Sequence, residues 1–289
     1  MNINNNDFCF CTLALGKEYR DLALLLAEDI SVYAPGIPFV ILTDKPHYFS
    51  QFEQVQSFQH SQKSVGCYQD KVYVISKALS LFSSCMFMDA DMRILKEFPQ
   101  FQWLPGITAR SCSSIKKHFA TKMTNNVNTN KKYLVVEKSA HHLNLNLQDE
   151  NIRFVHEFLF VVTRDEGKEI HFLKLWEQLG RFFELNGMYD GEGNTMGLAA
   201  AKVGLTIRHD TMENLDFFKD KIERVRIKYG QSEPEKNRIF FEKREEICRK
   251  NHPLIKKIIT KITTKIMFYY RYINLRLITR NGLELERFN

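Results

Sequence analysis

Residues 8–95 alternate between short apolar runs and amphipathic segments, and this alternation constrains the fold more than any other feature of the chain. Three apolar runs, at residues 8–15, 37–44 and 85–88, are rich in strand-forming side chains and predict buried β-strands. Between them, apolar residues recur at spacings of three and four, which predicts two helices. The helical positions are Tyr19, Leu22, Leu26, Ile30 and Tyr33, then Val72, Ile75, Leu79 and Phe82. This order of elements is typical of a parallel sheet covered by helices.

The second half of the chain continues the pattern after a polar interruption. Residues 116–133 are rich in Asn, Thr and Lys and predict a mobile loop, either over an active site or as a plain surface insertion. Residues 151–162 are apolar on both strand faces and predict one central strand. The elements predicted after it are a helix whose apolar face carries Ile170 and Trp176, a helix of small residues at 195–204, and a short strand at 205–209.

Basic residues are concentrated near the C-terminus. The chain has 41 basic and 34 acidic residues, and nine of the basic residues lie between Glu246 and Glu284 with no acidic residue among them. The other 32 basic residues nearly balance the 34 acidic ones, so we expect no nucleic-acid-binding surface on the main body.

Residues 253–280 combine this positive charge with apolar residues at helical spacing. The apolar positions are Ile255, Ile258, Ile262, Ile266, Tyr269, Ile273 and Leu277. A basic amphipathic helix of this kind can lie in the headgroup region of an anionic membrane, which is the partner we expect. The alternative is a helix packed on the rest of the protein or on a second copy, with its charges in water.

Cysteine spacing and the N-terminal sequence predict a cytoplasmic protein. The six cysteines form no CxxC pair and do not cluster with histidine, which predicts reduced thiols and not a disulfide frame or zinc site. The N-terminal MNINNND lacks the basic and apolar regions of a secretory signal, and no apolar segment is long enough to span a bilayer. Lipid binding by the C-terminal helix would place the protein peripherally on the inner face of the cytoplasmic membrane.

The third apolar run ends in two aspartates separated by one residue, Asp89 and Asp91. Ligands of open α/β sheets collect beyond the carboxyl ends of the strands, and alternate residues of an extended segment point the same way. Both carboxylates can therefore face one point, where two hard oxygen ligands suit Mn²⁺ or Mg²⁺. The alternative is that the acidic residues make a turn or cap a helix, but the preceding strands and helices favour the metal site.

Residues 8–95 resemble the nucleotide-binding half of the GT-A fold glycosyltransferases, and within them the family 8 enzymes. The segments that carry the resemblance are CTLALGKEYRDLALLLAEDI, IPFVILTD, KVYVISKALSLF and CMFMDADMRILKEF, which includes the DxD motif. They cover about a third of the chain. The fold class predicted is α/β, with a GT-A (Rossmann-like) mixed sheet flanked by helices and a C-terminal amphipathic helical extension.

The resemblance implies a site for a nucleotide-sugar donor at the ends of the first strands. Asp89 and Asp91 would hold Mn²⁺ or Mg²⁺ that bridges the donor diphosphate. The family takes a third metal ligand from a late histidine, and His209 is the preferred candidate over His252, although the family's flanking pattern is missing at both. The residues implied in nucleotide-sugar binding are Thr12, Ala14, Leu15, Asp44, Lys77, Asp89 and Ala90. Lys77 would face the phosphates, or be an ordinary exposed helix lysine.

The acceptor side would supply the catalytic carboxylates. The resemblance places Glu157 near the reacting sugar and makes Asp190 and Glu192, in YDGEGN, candidates for acceptor binding or catalysis. The alternatives are that Asp190 is a turn residue and that Glu192 stabilises the first turn of a helix. The sequence does not decide between retention and inversion at the transferred sugar.

We therefore predict a catalytic domain at residues 1–245 and a basic amphipathic tail at 246–289. The nucleotide-binding half would span about residues 7–97 and the acceptor half about 98–245. The predicted activity is that of a metal-dependent, hexosyltransferase-type glycosyltransferase acting on a glycan or lipid-linked acceptor in bacterial cell-envelope polysaccharide synthesis. The alternatives are a sugar-phosphate nucleotidyltransferase, which the absence of an early glycine-rich phosphate loop disfavours, and a non-catalytic nucleotide- or membrane-binding α/β protein.

Overall fold

The computed structural model describes residues 7–120, 127–251 and 254–280. The strands, in chain order, are β1 (Phe8–Ala14), β2 (Phe39–Thr43), β3 (Val55–Gln59), β4 (Ser84–Met88), β5 (Met92–Ile94), β6 (Gly106–Ala109), β7 (Cys112–Ser114), β8 (Arg153–Val155), β9 (Leu159–Thr163), β10 (Ile207–His209) and β11 (Phe217–Lys219). The helices are α1 (Gly16–Tyr33), α2 (Lys71–Leu81), α3 (Ile115–Ala120), α4 (Val127–His142), α5 (Lys168–Leu185), α6 (Glu192–Val203), α7 (Asp220–Lys228), α8 (Arg238–Asn251) and α9 (Leu254–Arg280).

Seven strands form one mixed sheet in the order β10-β6-β9-β4-β1-β2-β3. β9 is antiparallel to both of its neighbours, β4 and β6, and the remaining strands run in one direction. The chain proceeds from β1 outward to β2 and β3, then returns to the other side of β1 as β4. Strand order therefore reverses between β1 and β4, and at such a reversal the carboxyl ends of the strands open a crevice for ligands.

The central strands are buried on both faces, which explains why they appear in the sequence as continuous apolar runs. In β1, Cys9 and Cys11 contribute to the apolar core shared with α2, α5 and α6. Phe8 and Phe10 contribute to a second core with α1. The predicted α/β class, with a mixed sheet flanked by helices, is confirmed.

Several predicted elements differ in detail from the structure. The mobile loop predicted at 116–133 is wrong at both described ends, because residues 116–120 belong to α3 and α4 begins at Val127. The residues that α4 buries are Val136, Ser139 and Ala140, which lie beyond the segment judged from its composition. The single strand predicted at 151–162 is two strands, β8 and β9.

Two further differences concern which faces are buried. β3 was not predicted, and its residues are only half-buried at the edge of the sheet, so the strand lacks a strong apolar pattern. Ile170, predicted on the apolar face of α5, is exposed. That helix instead buries Phe172, Leu175, Trp176, Leu179 and Phe183.

Helix α9 packs against α5, and the ring of Phe268 lies 5.0 Å from that of Tyr189, centroid to centroid. Residue 246, the predicted start of the tail, lies within α8. No helix in the described ranges combines the length and apolar character needed to cross a membrane.

Candidate active site

Asp89 and Asp91 lie where β4 ends, next to the reversal of strand order. The Asp89 N–H donates to the Phe158 carbonyl at 3.0 Å, and the Met92 N–H donates to the Asp89 carbonyl at 3.0 Å. The first bond ties the end of β4 to the segment before β9, and the second closes a tight turn over residues 89–92. Both side chains keep some contact with solvent, since Asp89 is 25% exposed and Asp91 is 18% exposed.

Lys219 lies between the two carboxylates. Its Nζ donates to Asp89 Oδ2 at 2.8 Å and to Asp91 Oδ1 at 2.6 Å. The side chain is only 11% exposed. Lys219 is the last residue of β11 and lies directly opposite Met92 of β5, so the antiparallel pairing of these strands fixes the lysine beside the motif.

Lys71 connects Asp89 to Glu157 and Glu192, the two carboxylates that the sequence resemblance places on the acceptor side. Its Nζ lies 3.1 Å from Asp89 Oδ1 and 3.3 Å from Glu192 Oε1, and it donates to the Glu157 carbonyl at 3.1 Å. Lys71 is the first residue of α2 and is buried. We call the set Lys71, Asp89, Asp91, Glu157, Glu192 and Lys219 the edge cluster.

Glu157 and Glu192 reach the edge cluster from two different elements. Glu157 precedes β9, and because β9 runs opposite to β4, its start lies at the carboxyl end of β4. Glu192 is the first residue of α6. The Gly193 N–H donates to Glu157 Oε1 at 3.0 Å, which joins the two elements. A Cβ at Gly193 would lie only 2.1 Å from the Val155 carbonyl oxygen, so this close approach requires glycine.

Burial and neighbouring charges shift the pKa values of the edge cluster in opposite directions. Burial, reinforced by the negative charge of Glu192, raises the pKa of Glu157 to about 8. Burial also raises the pKa of Glu192. Burial alone would raise the pKa of Asp89, but the ammonium groups of Lys71 and Lys219 outweigh it and hold that pKa below its ordinary value. Asp89 is therefore ionised at neutral pH, whereas Glu157 can exchange a proton there.

Two tyrosines with exposed rings lie near the edge cluster. Partial burial, with the negative charges of Glu18 and Asp91, raises the pKa of Tyr19 to about 12. Burial and the charge of Glu192 raise the pKa of Tyr68. Each of these two tyrosines is nevertheless 52% exposed.

The other residues expected at the donor line the ends of β1 and β2. Thr12 is fully buried, and its hydroxyl donates to the Met88 carbonyl at 2.6 Å, which ties β1 to the end of β4. Ala14 is buried at the end of β1, Leu15 immediately precedes α1, and Ala90 is buried between the two aspartates.

Asp44 immediately follows β2 and is held at the start of α1. Its carboxylate accepts hydrogen bonds from the Gly16 N–H at 3.1 Å and from the Arg20 guanidinium group. Burial alone would raise the pKa of Asp44, but the Arg20 and Gly16 hydrogen bonds outweigh it and lower that pKa. Asp44 thus faces the same edge of the sheet as Asp89, with its charge balanced by Arg20.

Three expected residues lie apart from the edge cluster. Lys77 Nζ lies 4.1 Å from the centroid of the Phe58 ring, so Lys71 and not Lys77 contacts Asp89. Asp190 is exposed and pairs with Lys132 at 2.6 Å. His209 ends β10, three strands away from β4 and therefore roughly 14 Å across the sheet. His252 lies outside the described residues.

The two aspartates suit Mn²⁺ or Mg²⁺ by chemistry, because both ions prefer carboxylate oxygens. The space between them, however, contains the Lys219 ammonium group. Within the described ranges, no three His, Cys, Asp or Glu residues are grouped so that they could hold a metal ion. In this arrangement the residues do not fit a divalent cation, because Lys219 would have to move away first.

Sequence reasoning missed both lysines of the edge cluster. The position of Lys71 could have been predicted, because Lys71 begins a helix. A helix that follows a parallel strand starts at the edge of the sheet where ligands bind. The position of Lys219 could not, because it depends on the pairing of β11 with β5.

The chain matches no protein-family model, and no curated protein shows significant similarity to it. The functional conclusion therefore rests on the geometry of the edge cluster.

Proposed function

We propose that this protein is a glycosyltransferase that moves a sugar from a nucleotide-sugar donor to a hydroxyl group of a glycan or lipid-linked acceptor. The observation that carries the proposal is the edge cluster itself. It combines a pair of aspartates, the buried Lys71, the largely buried Lys219 and a carboxyl group with a raised pKa at the reversal of strand order.

The donor diphosphate would bind beside Lys219 and the first turns of α1 and α2. The N-termini of these helices lie at the same edge and offer backbone N–H groups to phosphate oxygens. In the reaction, the bond between the sugar's anomeric carbon and the diphosphate oxygen breaks, and the electron pair leaves with the nucleoside diphosphate. Fixed positive charge stabilises the negative charge that develops there.

Glu157 is suited to receive the proton of the acceptor hydroxyl group. The acceptor oxygen bonds to the anomeric carbon as its proton passes to a carboxylate, and a base with a pKa near the working pH is the most effective. With a pKa of about 8, Glu157 meets this condition better than an ordinary glutamate does.

The test uses UDP, GDP, CDP and ADP sugars and measures thermal stabilisation and slow donor hydrolysis. We expect one donor class to stabilise the protein and to be hydrolysed, and Glu157→Gln to abolish hydrolysis while the donor still stabilises the protein. Asp165→Asn is the control, because Asp165 follows β9 and so lies at the opposite edge of the sheet. The absence of stabilisation by every donor, or hydrolysis that persists in Glu157→Gln, would contradict the proposal, and consumption of a nucleoside triphosphate with a sugar phosphate would indicate a nucleotidyltransferase.

The orientation of α9 supports an anionic membrane as the location of the acceptor. Its predicted apolar positions in the described part lie on the side facing solvent, and each is between 53% and 61% exposed. This outer stripe consists of Ile262, Ile266, Tyr269, Ile273 and Leu277. The roughly opposite side of α9, with Phe268, Tyr272 and Leu275, is only half-exposed, and there Phe268 contacts Tyr189 and Leu275 lies beside α5.

Charge distinguishes a lipid surface from a second copy of the chain as the partner of the outer stripe. Lys265 and Arg276 flank the stripe, and no acidic residue lies between Glu246 and Glu284. Two such helices face to face would bring only like charges together, whereas anionic headgroups would neutralise them. We propose that the outer stripe inserts among anionic lipids at the membrane surface.

Co-sedimentation with phosphatidylglycerol and phosphatidylcholine vesicles tests this proposal. We expect binding to the anionic vesicles, and Ile266→Asp with Ile273→Asp should reduce it by about tenfold or more. Ile170→Asp with Ile239→Asp is the matched control, because these two isoleucines are equally exposed but lie on α5 and α8. If light scattering shows a dimer that the Ile266 and Ile273 substitutions dissociate, and no vesicle binding, the stripe is a protein interface and the membrane proposal fails.

A further inference from the structure

Lys219 contributes a positive charge where a metal ion would be expected. The ammonium group is within hydrogen-bond distance of both carboxylates of the motif, at 2.8 and 2.6 Å. A magnesium ion would bind such oxygens at about 2.0–2.1 Å. One fixed cation that contacts both side chains therefore already neutralises much of the charge that would attract a metal.

Secondary structure limits how far Lys219 can move. β11 pairs with β5 over three residues, with Phe217 opposite Ile94 and Lys219 opposite Met92. The Leu95 N–H also donates to the Asp216 carbonyl at 2.9 Å, which extends the pairing. The lysine backbone is thus fixed to the segment that follows the DxD motif.

The two lysines of the edge cluster differ in what they can offer a ligand. An ammonium group has three N–H donors. Lys71 directs its charge at Asp89, Glu192 and the Glu157 carbonyl. Lys219 uses two donors on Asp89 and Asp91, and its third has no partner among the described residues. Of the two lysines, Lys219 is therefore the one that can add a phosphate oxygen without losing its carboxylates.

We infer that Lys219 occupies the cation position between Asp89 and Asp91, so that the chain binds the donor diphosphate through this ammonium group and without a divalent metal. The diphosphate part of this inference rests on the proposed function. The claim about the cation position does not, because it can be tested with a metal ion alone.

The first experiment measures Mn²⁺ binding by electron paramagnetic resonance without nucleotide. We expect the wild type to bind Mn²⁺ weakly and Lys219→Ala, which leaves both carboxylates and a space between them, to bind it at least about tenfold more tightly. Lys219→Ala combined with Asp89→Asn and Asp91→Asn should lose the gain. Lys219→Arg keeps the charge and should behave as the wild type. Equal Mn²⁺ affinity in the wild type and Lys219→Ala, whether tight or weak, would overturn the inference.

The second experiment measures binding of the preferred nucleoside diphosphate by calorimetry, in EDTA and in Mn²⁺. Wild-type affinity should be unchanged by EDTA, and Lys219→Ala should weaken binding about tenfold in EDTA and recover part of it in Mn²⁺. Wild-type binding that disappears in EDTA would contradict the inference while leaving the transferase proposal intact. If no nucleoside diphosphate binds under any condition, the proposed function fails and the Mn²⁺ experiment still decides the role of Lys219.

Discussion

The edge cluster and the outer stripe of α9 differ in how far the protein itself satisfies their side chains. In the edge cluster, the ion-paired groups are largely shielded from water, but oppositely charged partners lie within about 3.3 Å. In the outer stripe, apolar side chains remain more than half exposed on a helix whose other side is packed. The charges of the edge cluster are paired within the chain itself. The outer stripe, in contrast, can lower the free energy only when another surface covers its apolar side chains.

This difference has a consequence for ligand binding. A ligand of the edge cluster has to interact with charges that are already matched, so it must fit the remaining donors, such as the third N–H of Lys219. A partner of the outer stripe has no internal contact to displace. The predictions below test this comparison, beginning with the largest expected effect.

Substitution of Lys71 should destabilise the protein most. Lys71→Met leaves Asp89 and Glu192 without their shared cation, and loss of one member of a buried ion pair costs about 3–5 kcal/mol. Lys77→Met, on the same helix, removes only the contact with Phe58 and should cost about 1 kcal/mol or less. Urea unfolding at neutral pH measures both values. If both substitutions lower the free energy of unfolding equally, the ion pairs of Lys71 stabilise the protein no more than a contact on the helix surface does.

The stability of the protein should fall with rising pH because of Glu157. The folded pKa is about 8, whereas an unfolded glutamate has a pKa of about 4.3. Between these two pKa values the folded state therefore holds a proton on Glu157 that the unfolded state has released. The stabilisation from this proton is fully present below the unfolded pKa and is lost as pH rises through the folded pKa. Each unit of difference corresponds to about 1.4 kcal/mol.

Glu157→Gln should remove most of this decline, because the amide stays uncharged. Chemical unfolding across the pH range measures the slope, and Glu53→Gln on the exposed surface serves as the control. Glu192→Gln should have a partial effect, since the charge of Glu192 helps to raise the pKa of Glu157. If stability depends on pH in the same way in the wild type and in Glu157→Gln, the decline does not come from Glu157.

Asp190 should prove dispensable. Its partner is Lys132, and because Asp190 is exposed the pair contributes at most about 1 kcal/mol. Asp190→Asn should therefore change stability and donor hydrolysis little. A large loss of hydrolysis with unchanged stability would place Asp190 in the catalytic site, as the sequence resemblance implied.

The outer stripe should contribute least to the stability of the protein without its partner. Ile266→Asp and Ile273→Asp should each change the free energy of unfolding by less than about 0.5 kcal/mol, because the side chains already face water. Leu275→Asp, on the side facing α5, should cost more. Strong destabilisation by the first two would mean that the stripe packs on the body of the protein in solution.

The same comparison explains what the sequence could predict. The strands around Asp89 could be located because strands buried on both faces are continuous apolar runs. The spacing of apolar residues also predicted the helix at the C-terminus. It did not predict which side of that helix packs on α5, because the packed side depends on the surface of α5 as well. Lys219 was not predictable, since it reaches Asp91 across 128 positions of the chain. The loop predicted at 116–133 failed because composition was judged without the tertiary contacts of α4.

The insertion of β9 between β4 and β6 also determines the order in which the protein can be completed. Both neighbours of β9 precede it in the chain, so each has an unpaired edge until Leu159–Thr163 has been synthesised. The edge cluster then requires Lys219 as well. A nascent chain on the ribosome thus has exposed strand edges over a long stretch of synthesis, which is the condition under which growing chains aggregate or recruit chaperones. The edge cluster is complete only after most of the chain has left the ribosome.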